Sequence, residues 1–204
     1  TCVCRYLVSQ SPAIVEIQGL TKTWEGISVL NNLNLKMQSG ERIAIVGPSG
    51  SGKSTILKLL AGLILPTEGE IRLFGKKQEF LRLDQSKPPD VRLVFQNPAL
   101  LASLTVEENV GFLLKRNGVE NDENIHQQVR FALKEVGLYD VASKFPGQLS
   151  GGMQKRVSFA RALINETANK NHQIPLLLFD EPTAGLDPIA CTRIEDLIVK
   201  TTTI

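Results

Sequence analysis

The segment Gly47-Pro48-Ser49-Gly50-Ser51-Gly52-Lys53-Ser54-Thr55 constrains this chain more than any other. It fits the spacing G-x-x-x-x-G-K-[ST] of a loop that cradles phosphate. Gly47, Gly50 and Gly52 permit backbone angles that turn consecutive N–H groups toward one anion. A helix opening near Lys53 aims its positive end at the same point. Lys53 brings a charge for β- and γ-phosphates, and Ser54 a hydroxyl for Mg2+. The context agrees. Arg42-Ile-Ala-Ile-Val46 precedes the loop as an apolar run, which predicts a strand buried on both faces and part of a parallel sheet. A helix from Lys53 to about Gly62 follows. Strand, glycine loop and helix make the first half of an α/β unit.

Length bounds what surrounds this unit. The chain has 204 residues, one domain with room for a small lobe at about 150 residues per domain. A net charge of +2 gives no reason at the level of composition to expect a nucleic-acid partner. The longest apolar stretch, Ile56 to Leu65, is interrupted by Lys58 and is too short to span a bilayer. A role at a membrane would therefore pass through a partner. Cys2, Cys4 and Cys191 lack a metal-type pairing and read as free thiols of a reducing compartment. Thr1 to Pro12 has no signal-peptide layout and reads as an N-terminal extension. The missing initiator Met leaves open a fragment or a chain with a targeting segment removed.

The remaining chain alternates strand and helix signals. Val15 and Ile17 alternate with Glu16 and Gln18, and Leu33, Leu35 and Met37 with Asn34, Lys36 and Gln38. This period of two predicts half-solvated antiparallel strands. Thr105-Val-Glu-Glu108 is a capping box ahead of a helix. Asp122 is a candidate cap for a second helix with Ile125, Val129, Leu133 and Val136 inward, ending at Gly137. Ser150 caps a third, with Met153, Val157, Ala160 and Ile164 on one face. Glu166 to Gln173 reads as a polar loop. Asp187-Pro188 opens the last helix, which runs to about Lys200 with Ile194, Leu197 and Ile198 inward.

Leu176-Leu-Leu-Phe179 predicts a second buried strand, and it ends on Asp180 and Glu181. Ligands of parallel sheets bind at the carboxyl ends of strands. Adjacent strand side chains point to opposite sides, so one acid can serve Mg2+ and the other the attacking water. Asp180 is assigned to the metal. Glu181 is assigned to the water, as general base or as the group that orients it.

Leu149-Ser150-Gly151-Gly152-Met153-Gln154 resembles the signature of the ATP-binding cassette (ABC) ATPases. The phosphate loop, Gln96 in Val94-Phe-Gln-Asn97, the Asp180-Glu181 pair and Ala184-Gly-Leu-Asp187 follow the order and spacing of that family. The similarity runs from about Ile14 to Lys200. It implies an α/β fold of the phosphate-loop NTPase type, with a mostly parallel core sheet, an antiparallel β subdomain and a helical subdomain at about residues 97–150. It implies ATP and Mg2+ as cofactors. Ser150, Gly151 and Gly152 would grip the γ-phosphate held by a second subunit, so that a head-to-tail homodimer sandwiches two nucleotides. Trp24 would stack on adenine, its alternative being a strand-end Trp of structural use. Gln96 would reach Mg2+ or water, and Asp187 would act across the dimer interface, its alternative being an ordinary helix cap.

Ala99 to Phe112, Gly151 to Val157 and Thr183 to Ala190 resemble the lipid-trafficking members of the family, namely the bacterial outer-membrane lipid asymmetry (Mla) system and its chloroplast counterpart. That implies an ATPase driving lipid through a separate integral membrane permease, with a lipid-binding substrate protein as further partner. It also implies a peripheral position on the cytoplasmic face of a bacterial inner membrane or the stromal face of the chloroplast inner envelope. A soluble ABC-type switch or clamp without a permease is the alternative. The family's switch histidine has no counterpart at His126 or His172, which read as surface residues. The chain is therefore expected to stop short of it, with weakened hydrolysis.

Overall fold

The computed structural model describes residues 2–6, 13–79, 81–86, 88–116, 122–164 and 175–200, with residues 2–6 and 116 described by backbone alone. The polar loop expected at Glu166–Gln173, with His172, and the thiols of Cys2 and Cys4 lie outside that description. The chain divides into two compact units, residues 1–92 with 174–178 and residues 93–173 with 179–204.

The first unit is built on an antiparallel sheet. Strands β2 (Ala13–Trp24) and β3 (Ile27–Gln38) form a hairpin, β5 (Glu68–Leu73) pairs with the other edge of β2, and β6 (Lys76–Lys77) follows β5. The expected alternation is present. Val15 and Ile17 are buried opposite Leu73 and Ile71, and Leu20 is buried too, while Gln18 and Asn34 face solvent. Glu16 lies opposite Lys36 in the register, and their side chains pair at 3.1 Å. Helix α1 (Lys53–Leu60) buries Ile56, Leu59 and Leu60.

Strand β4 (Arg42–Val46) departs from expectation. It pairs antiparallel with β1 (Cys2–Tyr6), and no other strand joins them among the described residues. Ala44 and Val46 are exposed, Val46 by 48%. The apolar run predicted burial on both faces, but burial requires covering layers, and a two-stranded antiparallel ribbon tolerates an open face.

Four helices organise the second unit: α2 (Val106–Arg116), α3 (Asp122–Glu135), α4 (Gly151–Leu163) and α5 (Pro188–Lys200). Val106, Val110, Leu114, Val129, Val157, Phe159 and Ile194 are sealed in one core. Burying each side chain of this kind contributes about 1.5–3 kcal/mol. The capping box is formed: the Thr105 N–H donates to Glu108 Oε2 at 2.7 Å, and the Glu108 N–H donates to Thr105 Oγ1 at 3.2 Å. Asp122 is the first helical residue of α3 rather than its cap. That helix is followed by a turn with Gly137 in the left-handed region at φ 68°, and Arg156 Nη1 donates to the carbonyls of Val136 and Gly137.

Strands β7 (Val91–Val94) and β8 (Leu176–Phe179) pair with each other. The Leu176 N–H donates to the Asp90 carbonyl, and the Asp180 N–H to the Val94 carbonyl. Both partners advance together, so the pair is parallel. Phe179 stacks on Phe159 of α4 at a centroid distance of 5.3 Å.

Candidate functional site

The first unit carries the phosphate loop. Gly50 and Gly52 take φ of 78° and 89°, the left-handed conformation that favours glycine, whereas Gly47 is not among the described residues with positive φ. Gly52 is doubly specified: a Cβ there would stand 2.9 Å from Leu30 Cδ2 and 3.1 Å from the Val29 carbonyl. Helix α1 opens on Gly52 with no side-chain cap and no acid in its first turn. The helix thus brings no carboxylate of its own first turn to its leading N–H groups, which suits an anion site. Lys53 Nζ donates to the carbonyls of Gly47 at 2.9 Å and Pro48 at 2.8 Å. The ammonium is held over the loop by neutral acceptors, which phosphate oxygens can replace with stronger charge-assisted bonds. Pro48 and Ser49 are exposed, and Ser51, Ser54 and Thr55 are half-buried. Trp24 ends β2 at 47% exposure with Lys22 Nζ 4.2 Å from its ring centroid. Its ring is an accessible platform that already favours a cation.

The second unit carries the acids and the signature. Leaving β7, the chain reaches Gln96; leaving β8, it reaches Asp180 and Glu181. Parallel pairing sets these residues side by side, and Gln96 Nε2 donates to Glu181 Oε2 at 2.6 Å. Glu181 is exposed and sits at φ 48°, uncommon for a residue with a side chain. The segment after Gln96 is fastened from two sides. Arg161 Nη1 donates to the Ala99 carbonyl at 2.7 Å. Buried Asn109 accepts from the Leu101 N–H and donates to the carbonyls of Leu101, Leu104 and Thr105.

Ser150 caps α4, its Oγ accepting from the Met153 N–H at 3.3 Å. Ser150 and Gly151 are exposed and Gly152 is half-buried beside Leu186, so the helix presents its N-terminus to solvent. Asp187 caps α5, accepting from the Ala190 N–H at 3.0 Å. The cap is formed as expected, and the exposed carboxylate retains room for a further partner. His126 is exposed and pairs through Nδ1 with Glu107, outside this site.

Sequence reasoning gave Lys155 no role. Lys155 Nζ donates to the carbonyls of Glu181 at 2.7 Å and Ala184 at 2.8 Å. Burial pushes its pKa down, against the opposing pull of the Glu181, Cys191 and Asp180 charges. The available signal was helical spacing: Phe159 and Ala162 lie four and seven residues on, so Lys155 belongs to a second buried face of α4.

The sequence profile of the ABC transporter family matches residues 30–184. The chain belongs to the ABC transporter ATPase family. The fold expected from its sequence is borne out by a solved cassette, MJ0796 in a dimeric post-hydrolysis state bound to ADP and Pi. That structure shares 33% sequence identity at a TM-score of 0.77, over 93% of this chain and 83% of the other. The chloroplastic protein TRIGALACTOSYLDIACYLGLYCEROL 3 of Arabidopsis thaliana is 44% identical over 97% of this chain and 57% of its own length. The spermidine/putrescine import ATP-binding protein PotA of Pseudomonas aeruginosa is 41% identical over 87% of this chain and 46% of its own. The cassette thus spans about half the length of the curated relatives it matches. No described helix is long and apolar enough to cross a membrane.

Proposed function

We propose that this cassette binds and hydrolyses ATP as the motor subunit of an ABC transporter, and that the transporter moves lipid. The observation that carries the enzymatic reading is the Gln96–Glu181 bond at the ends of a parallel strand pair. It unites an amide and a carboxylate where a water would be activated. Glu181 accepts a proton from that water as its oxygen attacks the γ-phosphorus. The bond to the bridging oxygen breaks, and ADP leaves with the electron pair. Gln96 holds the carboxylate through Nε2 and offers its amide oxygen to the metal or the water. Gly47 to Thr55 bind the triphosphate, with Lys53 on the β- and γ-phosphates.

The proposed donors for Mg2+ are the Ser54 hydroxyl, the Gln96 amide oxygen and the Asp180 carboxylate. All are hard oxygen donors, and they suit Mg2+ rather than a thiol-seeking metal. No cluster of three His, Cys, Asp or Glu capable of holding a metal occurs among the described residues. An Mg2+ bound through few protein oxygens arrives with nucleotide phosphates and keeps several waters. When bound, it would neutralise charge building on the phosphoryl oxygens.

A second copy, placed head to tail, would bring Ser150, Gly151, Gly152 and Asp187 to the nucleotide. The dimeric neighbour supports a second subunit. Attachment at a membrane would run through a permease. Lipid as cargo is supported by the similarity to the plastid protein, whose name is that of a galactolipid. The likeness to a spermidine/putrescine import ATP-binding protein at 41% identity supports placing cargo choice in other subunits. Purification of the native complex tests this reading. A permease and a lipid-binding subunit should co-purify, and Glu181→Gln should bind ATP but accumulate as a nucleotide-bound dimer. Stable isolation with ribosomes and no permease would overturn it.

A further inference from the structure

We propose that Lys155 is a positioning residue for hydrolysis, its ammonium fixing the turn that carries Glu181 and tying that turn to the signature helix. The proposal rests on the reading of Glu181 as the group that serves the water. Lys155 is the one buried lysine among the described residues, at 4% exposure. Removing an ammonium from water is costly, and an apolar residue of similar volume is often the more stable choice at such a place. The charge therefore has a use other than stability. Its hydrogen-bond acceptors are two backbone carbonyls of one turn, Glu181 and Ala184, at 2.7 and 2.8 Å.

The backbone bonds within that turn are long, the Leu186 N–H reaching the Thr183 carbonyl at 3.1 Å. The Ala184 N–H reaches the Glu181 carbonyl at 3.3 Å, and Cys191 Sγ lies 3.6 Å from the carbonyls of Thr183 and Leu186. Glu181 also holds a φ of 48°, a conformation that persists only when its surroundings impose it. A charge-assisted bond to the Glu181 carbonyl does so, and it thereby sets the direction in which the carboxylate leaves the backbone. Lys155 lies little more than one turn into α4, whose cap is Ser150. One short rigid helix thus joins the exposed Ser150–Gly151 end to the turn bearing Glu181. Engagement of the signature end is thereby felt at the carboxylate.

The test compares Lys155→Met, Lys155→Gln and Glu181→Gln with the wild type, in the full-length assembled protein. ATP affinity, kcat and melting temperature are measured for each. Methionine keeps the volume and removes the donors; the glutamine amide restores two of them. Lys155→Met should lower kcat about tenfold or more, since small misplacements of catalytic groups have effects of this size. It should leave the ATP Kd within about twofold and the melting temperature undiminished, because a buried charge has been removed. Lys155→Gln should recover part of kcat. Wild-type kcat in Lys155→Met overturns the proposal. So does a loss of kcat matched by loss of ATP affinity and melting temperature and unrelieved by glutamine, which marks a merely structural residue. Wild-type hydrolysis in Glu181→Gln removes the reading of Glu181 itself, whatever Lys155 does.

Discussion

Gln96 Nε2 and Glu181 Oε2 meet at 2.6 Å although 85 residues separate them along the chain. The contact exists because β7 and β8 run parallel and end at the same level. Gln96→Ala removes both the donor that holds Glu181 and the amide oxygen proposed to serve the metal or water. We expect ATP affinity within about threefold of wild type and kcat reduced about tenfold to a hundredfold. Equilibrium binding alongside steady-state phosphate release measures both. Unchanged kcat would show that the bond has no part in turnover.

Lys53 holds its ammonium over the carbonyls of Gly47 and Pro48. Those bonds hold the cation in place for phosphate. Lys53→Ala should weaken ATP binding by about 1.5–3 kcal/mol, the worth of a hydrogen bond to a charged group. Titration calorimetry reads this directly. Adenosine, lacking phosphates, should bind the variant and the wild type alike.

Gly52 and Gly50 separate two reasons for glycine. Gly52 needs both its positive φ and its lack of a Cβ, because Leu30 and Val29 stand within about 3 Å of where one would sit. Gly50 has positive φ with nothing near. Alanine at Gly52 should therefore destabilise by strain and overpacking together, about 2–4 kcal/mol. At Gly50 the cost should be strain alone, about 1–2 kcal/mol. Chemical denaturation of the two variants should rank them in that order.

Glu108 offers a pH test. Its pKa is lowered first by the Thr105 backbone N–H and then by the Thr105 hydroxyl. A carboxyl depressed in the folded state contributes stability above its unfolded pKa of about 4.3, and loses it as pH falls through the folded value. Glu108→Gln should be less stable than wild type at pH 7. The gap should close progressively below about pH 4, as denaturation midpoints at several pH values would show. A gap constant with pH would mean that charge contributes nothing to this cap.

What proved legible in the sequence was local. The phosphate loop, the Thr105–Glu108 box and the caps at Ser150 and Asp187 each depend on residues a few positions apart. Their hydrogen bonds are formed as the spacing requires. The alternation of β2 likewise needed only period two. By contrast, Arg42–Val46 has the composition of a buried strand but is partly open, because burial depends on what other segments lay over it. Gly69 is a similar case: a Cβ there would overlap the Gly19 carbonyl, a neighbour brought in by strand pairing.

Sequence alone thus determined the chemistry on offer: a phosphate cradle, a strand ending in two acids, and a glycine turn at a helix start. Their residue types and spacings are short-range properties. Tertiary structure alone decided that Gln96 bonds Glu181 and that the buried charge of Lys155 grips the turn behind it. Those relationships join residues from separate strands and helices, and only packing and strand register bring them within hydrogen-bonding distance.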